Sequence, residues 1–157
     1  MDTSTVVQFL TEMAFILSVF SVMLAIAFFK GKQAIINIIL GLYLGLFFAI
    51  EFPYYDAVNG SASGEAVYKI GVFVFFTAVA TWLFARLMPR EFSEGFFEGF
   101  FMKMLFAAAA TVLVMSFSFH ALPVIELIDP GPIQTLFAPE EGFFYWLLLP
   151  VVILFFL

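Results

Sequence analysis

An all-α, polytopic transmembrane helical bundle is the fold class this sequence predicts, on three observations. Hydrophobic residues make up 64% of the 157 residues and charged residues only 11%, whereas a water-soluble domain carries about 25% charge to wet its surface. The apolar residues gather into five long runs. Nearly every basic residue falls between those runs, on what would be one side of a membrane. A single integral membrane domain over residues 1–157 follows.

A span needs roughly 20 apolar residues at about 1.5 Å each to cross a hydrocarbon core of about 30 Å. The first run, residues 6–29, is broken only by Gln8, Thr11, Glu12 and small serines. The leader MDTSTVVQF lacks a basic n-region and a small-residue cleavage site, so this run is expected to be a retained helix. The second run covers 34–52, the third 67–88 and the fourth 101–122. A fifth, 143–157, holds only about 15 residues and carries Pro150, which leaves open whether it crosses or packs as a half-span. Between runs three and four, Phe92, Phe96, Phe97, Phe100 and Phe101 fall on one helical stripe with carboxylates opposite. That pattern predicts an amphipathic helix over 90–100, lying on the cytoplasmic interface. The connection before run five contains Pro130-Gly131-Pro132, which must break any helix.

The basic residues set the orientation. Lys30 and Lys32 lie in the first connection, and Arg86, Arg90 and Lys103 flank the third; Lys69 is on the other side. The remaining connections carry acids instead, among them Glu51, Asp56, Glu126 and Asp129. Lys and Arg in short loops mark the cytoplasmic face. The N-terminus is then outside, with loops 30–33 and 89–103 cytoplasmic. Tyr54, Tyr55 and Tyr68 cluster at the opposite end, where amphipathic rings favour the headgroup level.

Several residues stand out as candidate packing points. Gly41 and Gly45 form a small-xxx-small pair on run two, which lets a neighbouring helix approach closely. Gly95 and Gly99 repeat the spacing ahead of run four. Run four has Ala107 to Ala110 with Ser116 and Ser118, and run one has Ser18, Ser21 and Ala25. A bundle centred on runs one, two and four is the expectation. Three polar side chains sit inside apolar runs: Glu12, Asn37 and His120. A carboxylate there must pair, protonate or face water. Glu12 and His120 fall at similar depth and could form a proton or cation site. The plainer alternative is that Glu12 is wetted near the interface and His120 merely ends its helix. Asn37 suits an interhelical hydrogen bond.

Other chemistries are not expected. The chain has no cysteine and one histidine, so thiol chemistry and a metal-ligand cluster are excluded, and no cofactor is implied. No Gly-rich phosphate loop or credible Ser–His–Asp set occurs, so enzymatic activity is not expected. A net charge of −6 without a basic patch argues against nucleic acid.

From about Phe15 to Pro123 the chain resembles the colicin V production protein family of bacterial inner-membrane proteins. The resemblance rests on Phe29-Lys30-Gly31-Lys32-Gln33 leading into the second helix, and on Gly95-Phe96-Phe97-Glu98-Gly99 with Lys103 ahead of the fourth. The order of four helices fits as well. The chain departs from the pattern in its extra C-terminal run, and Glu12 would have to fill the acidic position at the start of the first helix. The resemblance implies a non-enzymatic bacterial inner-membrane protein, a scaffold or accessory factor in export or envelope maintenance. The runner-up is a small proton- or ion-coupled channel or transporter using Glu12 and His120. Beyond the lipid bilayer, the partner is left open between another membrane protein and a second copy of the chain.

Overall fold

The computed structural model describes residues 3–55, 62–88, 96–122 and 140–156. Among them are five α-helices: α1 (Thr3–Lys30), α2 (Lys32–Ile50), α3 (Ala62–Leu87), α4 (Phe96–Ser116) and α5 (Glu140–Phe156). The described residues contain no strand. With no water to satisfy exposed backbone groups in hydrocarbon, a chain this apolar closes its hydrogen bonds within each helix. Four helices, α1 to α4, are long and apolar enough to cross a membrane. α5 has 17 residues, about 25 Å of helix, and falls short of a hydrocarbon core of about 30 Å.

The boundaries shift by a few residues throughout and differ most from the sequence reading in three places. α3 begins at Ala62, ahead of the apolar stretch that starts at Val67. Its early polar turn is held by an ion pair between Lys69 and Glu65, one turn apart at 2.7 Å. Phe96 to Phe100, expected in a separate interfacial helix, form the first turns of α4; residues 89–95, including Arg90, Phe92 and Gly95, lie outside the described residues. The fourth run does not stay α-helical to Leu122. It opens into a π-helical turn over Phe117–Ala121, closed by the Leu122 N–H on the Phe117 carbonyl at 2.8 Å. The prolines of the fourth connection, 123–139, also lie outside the described residues.

One residue joins α1 to α2. Gly31 adopts φ 87°, a left-handed conformation that glycine reaches without the Cβ clash other residues meet. Its N–H still closes on Ala27 O at 3.1 Å, and its carbonyl accepts from Ala34 N at 3.2 Å.

The arrangement of helices corrects the expected centre of the bundle. α2 and α4 are inside: buried residues make up 44% and 50% of their spanning windows, against 6% for α1 and 11% for α3. The small-residue run of α4 is buried at Ala107, Ala109 and Ala110, with Leu113 and Phe117 continuing the same core. On α1, by contrast, Ser18, Ser21 and Ala25 are exposed, so among the described residues nothing packs on that face. The hydroxyls allow that exposure without dictating it, since Thr111 on buried α4 makes the same kind of bond to Ala107 O. Ser18 Oγ donates to Phe15 O at 2.7 Å and Thr11 Oγ1 to Val7 O at 2.9 Å. A hydroxyl satisfied by its own helix needs no neighbouring helix to leave water.

Candidate functional site

The glycines of α2 determine how closely α3 approaches. A Cβ added at Gly41 would lie 3.0 Å from the Thr81 backbone nitrogen and 3.1 Å from the Thr77 carbonyl oxygen. One added at Gly45 would lie 2.9 Å from both the Cα and the nitrogen of Thr77. Real Cβ atoms essentially never come as close as the Gly45 contacts, and the Gly41 contacts are tighter than most, so α3 would have to move away. A step of four forward along α2 meets a step of four back along α3, which is the antiparallel register of this pair. Thr77 and Thr81 are the second half of the motif, small residues at the same four-residue spacing facing the glycines. Among the described residues, Thr77 Oγ1 is buried against Gly45 with no hydrogen-bond partner. Gly99 of α4 is buried as well, while its sequence partner Gly95 lies outside the described residues.

One turn before Gly41, the same face of α2 turns polar. Asn37 is only 4% exposed, and its Oδ1 accepts a hydrogen bond from Gln33 Nε2 at 3.2 Å. The second Gln33 proton points at Met88 Sδ, 3.3 Å away on the last residue after α3. Gln33 and Asn37 are four residues apart, which places both amides on one helix face. They line a cavity of about 230 Å³ together with Lys30 of α1 and Thr81 of α3. Ile26, Ile38 and Ala85 supply the apolar walls. α1 and α3 both pack on α2 while making little contact with each other among the described residues, and the cavity lies between them over the start of α2. No carboxylate lines it among the described residues. Asn37 was legible in the sequence as a lone amide in an apolar run. Gln33 and Thr81 were not singled out, although the Gln33–Asn37 spacing was available to show them.

The Glu12–His120 pair is placed only in part. Glu12 is half-buried on α1. Ile16, one turn further on, packs with Met115 and Phe119 at the end of α4. α1 therefore carries Glu12 toward the level of the π-helical turn that contains His120. The His120 side chain, and any contact between the two, lies outside the described residues.

At the far end of α2 the aromatic residues pack edge to face. Phe52 lies 5.3 Å from Tyr55, 5.6 Å from Tyr54 and 6.0 Å from Phe76, centroid to centroid. Tyr55 Oη donates to Ala49 O at 2.6 Å, capping a carbonyl in the last turn of α2. Burial pushes the Tyr55 phenol above its ordinary range, with the Lys69 charge pulling the other way and Tyr68 adding a smaller upward push.

A search of protein-family models, of curated proteins and of solved structures gives no match to this chain.

Proposed function

We propose that this chain is a non-enzymatic multipass protein of the bacterial inner membrane, a scaffold or accessory factor in export or envelope maintenance. The observation that supports it best is the distribution of helix faces. Ile35, Ile39, Leu42, Leu113 and Phe117 fill the centre with apolar side chains. The polar cavity stops at Asn37 and Thr81, and that apolar core lies beyond it. A solute crossing the membrane needs polar groups at every depth, because a desolvated charge or hydrogen-bonding group is costly. α1 and α3, meanwhile, turn most of their surface outward, with Phe9, Leu17, Phe29, Phe75 and Trp82 all exposed. Such faces suit lipid or a flat helix–helix contact with another membrane protein.

The short motifs Lys30-Gly31-Lys32 and Gly95-Phe96-Phe97-Glu98-Gly99, which resemble the colicin V production protein family, supply the export reading. The basic residues supply the orientation, N-terminus outside and loops 30–33 and 89–103 cytoplasmic. Co-purification from membranes in mild detergent, read by mass spectrometry, tests the proposal. A membrane-protein partner recovered in constant ratio is the expected result, and Glu12→Gln and His120→Ala should leave it bound. If the chain instead comes out alone, and Glu12→Gln abolishes a proton or cation flux in proteoliposomes, the transporter reading replaces this one.

A further inference from the structure

We propose that the cavity between α1, α2 and α3 binds the phosphate-bearing headgroup of an anionic phospholipid. Its chemistry is amphipathic in the required sense. Lys30 stands at the mouth as a cation, the Gln33 and Asn37 amides and the Thr81 hydroxyl form a polar floor, and Ile26, Ile38 and Ala85 form apolar walls. With about 230 Å³ of space it is smaller than the roughly 300–1,000 Å³ of sites that enclose drug-sized ligands. A headgroup fits that room while its acyl chains stay in the bilayer outside α1 and α3.

Two details favour an anion over a neutral solute. Asn37 is more than nine-tenths buried, and among the described residues its only hydrogen bond is the one its oxygen accepts from Gln33. Its own amide protons make no hydrogen bond among the described residues, which leaves them available to a ligand oxygen in the cavity. Gln33 already spends both amide protons, on Asn37 and on Met88, which fixes the direction of the pair. The second detail is side-chain charge: among the described residues that line the cavity, Lys30 is the one charged side chain, and it is basic. A phosphate oxygen would accept from Asn37, and its charge would meet Lys30. The inference does not depend on the scaffold reading, and its failure would leave that reading as it stands.

The full-length protein in detergent, titrated with phosphatidylglycerol or phosphatidylcholine of the same chain length and read by native mass spectrometry, tests the site. Phosphatidylglycerol should show one tighter site than phosphatidylcholine. Lys30→Gln, at an exposed position that does not endanger the fold, should weaken that site roughly five-fold, as for one lost cationic contact near a membrane surface. Asn37→Leu should weaken it as well. Arg86→Gln, on an exposed basic residue that does not line the cavity, should leave it unchanged. Equal affinity for the two lipids, or no change in both Lys30→Gln and Asn37→Leu, overturns the proposal. So does a loss in Arg86→Gln equal to that in Lys30→Gln, which would mean unspecific charge attraction. Displacement of the lipid by millimolar inorganic phosphate also overturns it, by assigning the cavity to a soluble phosphate.

Discussion

Pro150 has no N–H to give the Trp146 carbonyl one turn earlier in α5, and the next carbonyl, that of Leu147, accepts a hydrogen bond from the Tyr43 hydroxyl of α2. Tyr43 also packs edge-on against Phe117 at 6.1 Å, so its ring fixes the hydroxyl's aim. In Tyr43→Phe the ring stays and the bond goes. Interhelical hydrogen bonds inside membranes average about 0.6 kcal/mol and reach about 1.7 kcal/mol. At this chain length that lowers Tm by about 1–7 °C, measurable by thermal unfolding in detergent. An unchanged Tm would show that α5 docks by apolar packing alone. The sequence showed Asn37 because one amide among isoleucines is conspicuous. It hid Tyr43, whose hydroxyl could equally have served at a headgroup, because nothing local says which carbonyl three helices further along will need it.

Between elements, the information lies in residues too small to attract notice. Gly41 and Gly45 were legible as a point of close approach, and α3 occupies it. The identity of the partner was not legible, since Thr77 and Thr81 carry the same spacing as many threonines in apolar helices. Gly41→Leu or Gly45→Leu forces α2 and α3 apart and should cost at least the roughly 1–3 kcal/mol of an overpacked core, lowering Tm clearly. Gly71 is the control: a Cβ there meets nothing within 4 Å. Gly71→Ala should be neutral or stabilise by about 0.4–1 kcal/mol through the unfolded chain. The same comparison separates α1 from α4. Ser21 is exposed and Ala110 fully buried, so Ser21→Leu should change stability by less than about 0.5 kcal/mol while Ala110→Leu costs about 1–3 kcal/mol. The sequence could not draw that distinction. Small residues on a lipid-facing helix look identical to small residues in a seam, because lipid tails are as apolar as the leucines of a neighbouring helix.

For the molecule as a whole, composition determines that the helices exist and says little about their order in space. Apart from the Gln33–Asn37 face of α2 and the polar first turns of α3, the described helices are apolar on most sides, so no hydrophobic stripe marks an inner face, and the central position of α2 and α4 emerges only from packing. Charge is the exception, because Lys and Arg resist translocation whatever the helices do inside the bilayer. Orientation can therefore be tested without reference to packing, and the absence of cysteine gives a clean background for it. Single cysteines placed at Lys30, Arg86 and Glu65 can be probed in intact cells with a membrane-impermeant maleimide. Lys30 ends α1 and Arg86 lies in the last turn of α3, while Glu65 lies in the first turn of α3. Two helices separate Lys30 from Arg86, so both must fall on one face if α2 and α3 each cross once. Under the basic-inside orientation, the Glu65→Cys protein should label in intact cells, and the Lys30→Cys and Arg86→Cys proteins only after the membrane is opened. Labelling of Lys30→Cys and Arg86→Cys but not Glu65→Cys would invert the orientation and leave the bundle intact. Labelling of Lys30→Cys without Arg86→Cys would mean that one of the two helices between them does not cross, and the four-span architecture would have to be redrawn.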